Sequence, residues 1–157
     1  MTTPIYKVVF MGDGGVGKTA LLHRYVRNYF EVKYIPTIGA EVLPIGFQTN
    51  HGTIQLNIWD TASMEKYSGL RDGYLINAHH VVIFYSVDSS LSARNISFWE
   101  KDAGLIPTTI IGTKSDMANK VGLDTPVLSS KTGQGITAFW QQLLAKLTGH
   151  ADIIITE

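Results

Sequence analysis

The chain has 157 residues, about the size of one domain, of which 45% are hydrophobic and 17% are charged. This composition is typical of a globular protein and excludes a disordered chain. Lys and Arg together number 13, as do Asp and Glu, so the chain lacks the basic surplus on which nucleic-acid binding depends.

Cysteine is absent from the chain, which excludes disulfides, thiolate metal sites and prenylation. The first residues, Met1-Thr2-Thr3-Pro4, match neither a signal peptide nor a myristoylation site. No apolar run is as long as a membrane span. We therefore expect a soluble, unlipidated protein that binds neither membrane nor nucleic acid.

Apolar runs typical of buried strands alternate with helical patterns along the sequence. The predicted strands cover, in chain order, residues 5–11, 41–48, 53–59, 81–85, 109–112 and 127–128. Predicted helices begin near Lys18, span roughly residues 92–103, and begin again at Ile136. Asn50-His51-Gly52 separates the second and third strands and predicts a hairpin. This alternation predicts an α/β fold with a mostly parallel sheet, helices on both faces, and ligands at the carboxyl ends of the strands.

The sharpest motif lies between the first predicted strand and the first predicted helix. It reads Gly12-Asp13-Gly14-Gly15-Val16-Gly17-Lys18-Thr19 and matches the phosphate-binding pattern G-x-x-x-x-G-K-[ST]. Glycines let backbone amides wrap closely around phosphate oxygens, and the helix adds its positive end. Lys18 is the cation for the β- and γ-phosphates, and the Thr19 hydroxyl is a ligand for Mg²⁺.

A second motif, Thr113-Lys114-Ser115-Asp116, follows the fifth predicted strand and distinguishes guanine from adenine. A carboxylate only accepts hydrogen bonds, and guanine offers two donors on one edge that Asp116 can accept together. Adenine lacks that pair of donors, so an ATP-using enzyme is the weaker alternative. Lys114 can lie along the purine plane, and the loop Ser129-Ser130-Lys131 can offer a backbone amide to guanine O6.

Together these motifs resemble the Ras superfamily of small GTPases, and within it the Ran branch of nuclear transport. The resemblance runs from about Lys7 to Lys131. Its most specific part begins with Tyr34-Ile35-Pro36-Thr37-Ile38-Gly39, which is similar to switch I, and ends with Gly69-Leu70-Arg71-Asp72-Gly73-Tyr74. Between them, Phe47-Gln48-Thr49-Asn50 resembles the Ran interswitch, and Trp59-Asp60-Thr61-Ala62 resembles the start of switch II.

The resemblance implies one Ras-like G domain over residues 1–157, with a short tail from about residue 150. It implies a three-layer P-loop NTPase fold with a six-stranded, mostly parallel sheet and helices on both faces. The implied ligands are GTP or GDP with Mg²⁺. The implied partners are nuclear transport receptors, an exchange factor and an activating protein. The resemblance also implies that the protein is a monomer and is located in the nucleus and cytoplasm. The acidic tail of the Ran branch has no counterpart in this sequence.

The family roles carry over to individual positions. Thr37 would close over the γ-phosphate and ligate Mg²⁺, Asp60 would hold Mg²⁺ through water, and Phe30 would pack against the guanine. The implied nucleotide-binding set is Gly12, Asp13, Gly14, Gly15, Val16, Gly17, Lys18, Thr19, Ala20, Phe30, Tyr34, Thr37, Asp60, Ser63, Thr113, Lys114, Asp116, Ser129, Ser130 and Lys131.

Two residues of switch II depart from the family pattern. Met64 stands where the family has the glutamine that orients the attacking water, and a thioether has no proton to donate. Ser63 replaces a glycine whose amide contacts the γ-phosphate, and a Cβ there costs about 1–2 kcal/mol if the active conformation needs positive φ. We expect slow hydrolysis, with Lys18 and Thr37 as the remaining catalytic groups. The alternative is a non-cycling module that keeps its nucleotide as a structural ligand.

Three further features complete the predictions. Thr113 replaces the usual asparagine, and its hydroxyl can still bridge to the phosphate loop. The segment between Met117 and Pro126 has room for one or two helical turns, where the Ran branch has a full helix. His79 and His80 are neighbours at the entry to a strand and point to opposite faces, so we expect no shared metal.

Overall fold

The computed structural model describes residues 3–13, 16, 18, 21–22, 33–35, 40–60 and 75–156. The strands are β1 (Ile5–Gly12), β2 (Lys33–Ile35), β3 (Ala40–Thr49), β4 (Gly52–Asp60), β5 (His80–Ser86) and β6 (Thr108–Thr113). The described helices are α1 (Ser90–Arg94), α2 (Ile96–Ala103) and α3 (Ile136–Thr148). Lys18, Leu21 and Leu22 are also helical, where the sequence predicts the first helix.

The strands form one six-stranded sheet in the order β2-β3-β4-β1-β5-β6. β1 runs parallel to β4 and β5, and β5 runs parallel to β6, whereas β2, β3 and β4 are antiparallel to one another in turn. The predicted hairpin joins β3 to β4 through Asn50 and His51. The predicted α/β architecture, with a mostly parallel sheet, is confirmed.

β1 is buried on both faces, and its side chains alternate between two hydrophobic clusters. Val8 and Phe10 lie in the cluster that includes Trp140 of α3, whereas Val9 and Met11 lie in the cluster that includes Trp99 of α2. Both tryptophans are almost wholly buried, and burial of one large apolar side chain stabilises a fold by roughly 1.5–3 kcal/mol. The two helices therefore cover opposite faces of the sheet, as predicted.

The apolar stripe predicted for the last helix packs into the core. Its buried members are Ile136, Phe139, Trp140, Leu143 and Leu144. The helix ends at Gly149, whose φ of 78° is the left-handed conformation that favours glycine after a helix. Among the described residues, no helix is long and apolar enough to cross a membrane.

Two elements differ from the sequence prediction. The predicted strand at residues 127–128 contributes one bridge, from Val127 to Gly112, while the unpredicted β2 supplies the sixth strand of the sheet. The predicted helix over residues 92–103 is two helices, because Asn95 ends α1 and precedes α2. Residues 117–126, all of which the structure describes, contain no helix.

Candidate functional site

Predicted site residues lie where three strands of the sheet end. β1 ends at Gly12, β4 ends at Asp60 and β6 ends at Thr113. Because β1, β4, β5 and β6 are parallel, their carboxyl ends meet at one edge of the sheet, the usual place for ligands in such folds. The sheet thus brings the phosphate loop, the predicted magnesium carboxylate and the base-reading motif together.

Gly12 occupies a position that no other residue fits. Its φ is 140°, and a Cβ built on it would lie 2.5 Å from the carbonyl oxygen of Phe84 on the adjacent β5. A side chain would therefore meet both backbone strain and a steric clash. This glycine lets β1 stay paired with β5 up to the point where the phosphate loop begins.

The side chain of Lys18 reaches back to Gly12, where the phosphate loop begins. The residue is 6% exposed, and its Nζ donates a hydrogen bond of 2.8 Å to the carbonyl oxygen of Gly12. A buried ammonium group beside a glycine-rich loop suits an anion, because a nearby negative charge offsets the cost of its burial. This position agrees with the predicted role of Lys18 toward the β- and γ-phosphates.

Thr113 links β6 to the phosphate loop, as the sequence predicts. Its hydroxyl donates a short hydrogen bond to the carbonyl oxygen of Val16 and lies 3.1 Å from that of Tyr85. Thr113 is 2% exposed, and its single hydroxyl proton goes to the nearer of the two oxygens, that of Val16. The threonine performs the bridging for which the family pattern uses asparagine.

A buried serine positions the carboxylate that the sequence predicts to read the base. Ser129 is fully buried and donates a 2.7 Å hydrogen bond from its hydroxyl to Oδ1 of the exposed Asp116. This hydrogen bond lowers the pKa of Asp116, and the positive charges of Lys131 and Lys114 act in the same direction. Asp116 is therefore ionised at neutral pH and presents an acceptor at the surface of the site, as guanine recognition requires.

Two loops are fastened together behind this carboxylate. The backbone amide of Ser115 donates to the carbonyl oxygen of Leu128 at 3.0 Å, and its hydroxyl donates to Oε1 of Gln134 at 2.9 Å. Gln134 also accepts a 2.9 Å hydrogen bond at its backbone carbonyl oxygen from the amide of Ser129.

Lys114 has a φ of 59°, in the left-handed region that residues other than glycine seldom adopt. Ser130 is half-buried and Lys131 is exposed on the same loop.

The sequence analysis did not anticipate the contacts of Asp13. Its carboxylate accepts a 2.6 Å hydrogen bond from the Asn95 side chain and a 3.1 Å hydrogen bond from the indole of Trp99. These contacts tie the phosphate loop to the start of α2. They also give a hydrogen-bond donor to each carboxylate oxygen of Asp13, which lies in the loop predicted to bind the phosphates. They join residues 82 and 86 positions apart, a separation that no local motif reveals.

Asp60 is the described member of the predicted magnesium set. It is 5% exposed and lies opposite Phe10 in the pairing of β4 with β1. With the hydroxyls of Thr19 and Thr37, which the sequence predicts as the other ligands, the Asp60 carboxylate gives an all-oxygen set, and such a set suits Mg²⁺. The residues therefore fit this ion, which, when bound, offsets the charge of the phosphate oxygens.

Several predicted site residues lie outside the described part of the chain, and their roles stay predictions. Tyr34 belongs to β2, where the structure describes the backbone alone. The others are Gly14, Gly15, Gly17, Thr19, Ala20, Phe30, Thr37, Ser63 and Met64.

The neighbouring histidines enter β5 with different surroundings. His79 is exposed, and its Nδ1 accepts a 2.8 Å hydrogen bond from the amide of Lys7. His80 is 4% exposed, and its Nε2 lies 2.7 Å from the hydroxyl of Thr109. Burial, reinforced by the positive charge of Lys146, lowers the pKa of His80 to about 4. His80 is therefore a neutral core residue at physiological pH.

The fold and site define a P-loop nucleotide-binding protein of the α/β class. The defining features are the phosphate loop, the buried Lys18 and their position at the carboxyl ends of the parallel strands. The model of the Ras family matches residues 7–148, and the chain belongs to this family. It is therefore a small GTP-binding switch protein, of a family whose members bind GTP or GDP with Mg²⁺ and hydrolyse GTP.

Proposed function

We propose that this protein is a guanine-nucleotide switch of the Ran branch that hydrolyses GTP slowly. The observation that carries its nucleotide specificity is the ionised Asp116, held by the buried hydroxyl of Ser129 at 2.7 Å. The residues 34–39, 47–50 and 69–74, which resemble the Ran branch, support the choice of branch.

The described residues support a binding order that starts from a preformed cradle. Lys18 and Gly12 are joined across the phosphate loop, and Thr113 holds Val16 from the opposite side. Because these bonds already hold Val16 and Lys18, nucleotide binding costs less conformational ordering of these two residues. Asp116 then selects guanine, since a carboxylate facing adenine would be left without its two donors.

The slow chemistry follows from the residue at position 64. Hydrolysis of GTP in this family depends on positioning and on charge stabilisation, to which an oriented water contributes. The Met64 thioether is a weak acceptor without a donor, so it does not orient that water. Lys18 and Thr37 retain their stabilisation of the phosphate oxygens, which leaves a low residual rate.

The proposed partners are nuclear transport receptors and the Ran-type exchange factor and activating protein, in the nucleus and cytoplasm. The resemblance of residues 69–74 to the Ran segment after switch II supports this set. The neutral net charge supports binding to protein rather than to nucleic acid.

A second candidate is a non-cycling module that holds GTP and occupies the same partners. Ser63 and Met64 favour it together, because one blunts contact with the γ-phosphate and the other slows its removal. The two candidates share the nucleotide site and differ in whether GTP is turned over.

The deciding experiment loads the protein with GTP, removes the excess and follows the bound GDP to GTP ratio by chromatography. It is run with and without a Ran-type activating protein, beside a Met64→Gln variant. We expect slow conversion by the natural chain, faster with the activating protein, and at least ~10-fold faster in Met64→Gln, about 1.4 kcal/mol off the barrier. Triphosphate that persists under both conditions supports the non-cycling module, and an unaltered rate in Met64→Gln refutes the role given to Met64.

A further inference from the structure

A cluster of two histidines and one aspartate lies away from the nucleotide site. The imidazole rings of His51 and His150 are stacked, with centroids 4.0 Å apart and planes inclined by 5°. Nε2 of His51 lies 2.9 Å from Oδ1 of Asp152. One ligating atom from each of the three residues lies within 4.8 Å of the other two. Three metal-binding groups therefore converge at one point of the surface.

The backbone on both sides of the cluster is fixed. Asn50, in the turn between β3 and β4, donates from its side chain to the carbonyl oxygen of Asp152 at 3.1 Å. It exchanges two further hydrogen bonds with Ile154, at 2.8 and 3.1 Å. Thr49 pairs with Ile155 as an antiparallel bridge. The hairpin that carries His51 and the segment after α3 that carries Asp152 are thus held together, although these two residues are 101 positions apart in the sequence.

A buried side chain anchors the ligand segment from within. Ile153, next to Asp152, is 5% exposed and belongs to the hydrophobic cluster that includes Trp140. The side chains of His51 and Asp152 remain 29% and 74% exposed. The groups are therefore open to an ion from solvent, while the backbone that carries them is ordered.

The chemistry of this donor set differs from that of the nucleotide metal. Two imidazole nitrogens and one carboxylate suit Zn²⁺ and similar transition-metal ions, whereas Mg²⁺ prefers oxygen ligands. Tetrahedral bonds of ~2.0–2.2 Å to Zn²⁺ place neighbouring ligand atoms roughly 3.4 Å apart. To admit the ion, the 2.9 Å contact between His51 and Asp152 must open to this spacing. One of the two stacked imidazoles must also turn about its side-chain bonds, because a metal ion lies in the plane of each ring that ligates it. All three side chains are exposed, which leaves room for that rotation.

We propose that His51, His150 and Asp152 form a site for Zn²⁺ or a similar divalent transition-metal ion, which fastens the segment after α3 to the β3–β4 hairpin. Water completes the coordination, because the open side of the cluster faces solvent. The Asn50 side chain, which holds the backbone at Asp152, acts as a positioning residue for the site.

The test uses the full chain without a histidine tag, loaded with GDP in excess Mg²⁺ so that the nucleotide metal site is filled. Co²⁺ is titrated and followed by its visible absorption, and Zn²⁺ is then added to displace it. We expect one equivalent to bind, and at least ~100-fold weaker binding in His51→Gln and in His150→Gln, because loss of an outer-shell partner alone costs ~10–100-fold. His79→Gln removes an exposed histidine elsewhere and serves as the matched control, with unchanged affinity expected.

Asn50→Ala separates positioning from ligation, because it removes no ligand. We expect roughly 10-fold weaker metal binding, and Zn²⁺ to slow amide exchange in residues 150–156 of the natural chain but less so in this variant. Thermal unfolding of each variant checks that it folds. The proposal is overturned if the natural chain binds no Co²⁺ or Zn²⁺ at micromolar concentration, or if His51→Gln and His150→Gln bind the ion as tightly as His79→Gln.

Discussion

The two ends of the nucleotide site differ in how closely they keep the family pattern. At the base end, Asp116, Ser129 and Thr113 lie in one hydrogen-bonded frame that joins β6, the loop after it and the phosphate loop. At the γ-phosphate end, Ser63 and Met64 replace the usual glycine and glutamine. Under the proposed function, nucleotide recognition and hydrolysis rest on separate residues, so a change in the second leaves the first in place.

The base end also supports the fold. Thr113 donates its single hydroxyl proton to the carbonyl oxygen of Val16 in a buried place, and Ser129 is wholly buried beside Asp116. Loss of the Thr113 hydroxyl leaves the buried carbonyl oxygen of Val16 without this donor, at about 1–3 kcal/mol. Loss of the Ser129 hydroxyl removes the hydrogen bond that positions the exposed Asp116. The role proposed for Met64 lies in the rate of the reaction, so a change at this position alters the hydrolysis rate without that penalty.

The largest expected effect comes from Asp116→Ala. Guanine would lose two hydrogen bonds to a charged acceptor, each of about 1.5–3 kcal/mol, so GDP affinity should fall roughly 10²–10⁴-fold. Competition binding with a labelled guanine nucleotide measures the loss. Asp124→Ala, at another exposed aspartate, is the control and should bind GDP as the natural chain does. A loss below about 10-fold in Asp116→Ala would break the assignment of the base end.

Met64→Gln tests the other end of the comparison. We expect the hydrolysis rate to rise at least ~10-fold while the affinity for GDP changes less than about 3-fold, because the substituted side chain acts in the transition state. Single-turnover rates and GDP competition on the same preparation separate the two quantities. A large change in GDP affinity with no gain in rate would show that the two ends are not independent.

Thr113→Val should have an intermediate effect. The change keeps the shape of the side chain and removes the hydroxyl that holds Val16, so the free energy of unfolding should fall by about 1–3 kcal/mol and nucleotide affinity by roughly 10-fold. Denaturant unfolding and GDP competition measure the two losses. Thr137→Val, at an exposed position on α3, is the control. Equal stability of the two variants would count against the bridge to the phosphate loop.

The smallest effect on nucleotide binding is expected at His80, which lies away from both ends. Its pKa is about 4 in the folded protein against an ordinary value of 6.5, so the unfolded chain binds more protons between these values. Stability should therefore fall as pH is lowered from 6.5 toward 4, by on the order of 2 kcal/mol after allowance for solvent screening. His80→Gln should show a shallower fall in unfolding free energy, with nucleotide selectivity unaltered. Identical pH dependence of the two proteins would contradict the burial of a neutral His80.

Much of the fold could be predicted because its signals are local. The apolar runs that became β1 and β5, and the stripe of α3, are set by spacing within a few residues. β2 has three residues, too few for a periodic pattern. The division between α1 and α2 falls at Asn95, which bonds to Asp13 far along the chain. Contacts of this kind depend on the finished fold.

The candidate site shows the same division. Lys18, Thr113 and Asp116 belong to contiguous motifs whose chemistry can be read directly from the sequence, and the structure shows their hydrogen bonds. Their roles toward the nucleotide stay predictions. The contacts of Asp13, and the support that Gln134 gives to Ser115 and Ser129, join separate loops. Side chains that only position others carry no distinctive sequence pattern.

The most direct measurement is calorimetric titration of the nucleotide-free protein with GDP and with ADP, both in the presence of Mg²⁺. A site built to accept two hydrogen bonds rejects an analogue that lacks them by ~10⁴-fold or more, so GDP should bind at least ~10³-fold more tightly than ADP. Asp116→Ala should lose most of that discrimination. Equal affinity for the two nucleotides, or no binding of either, would contradict the account.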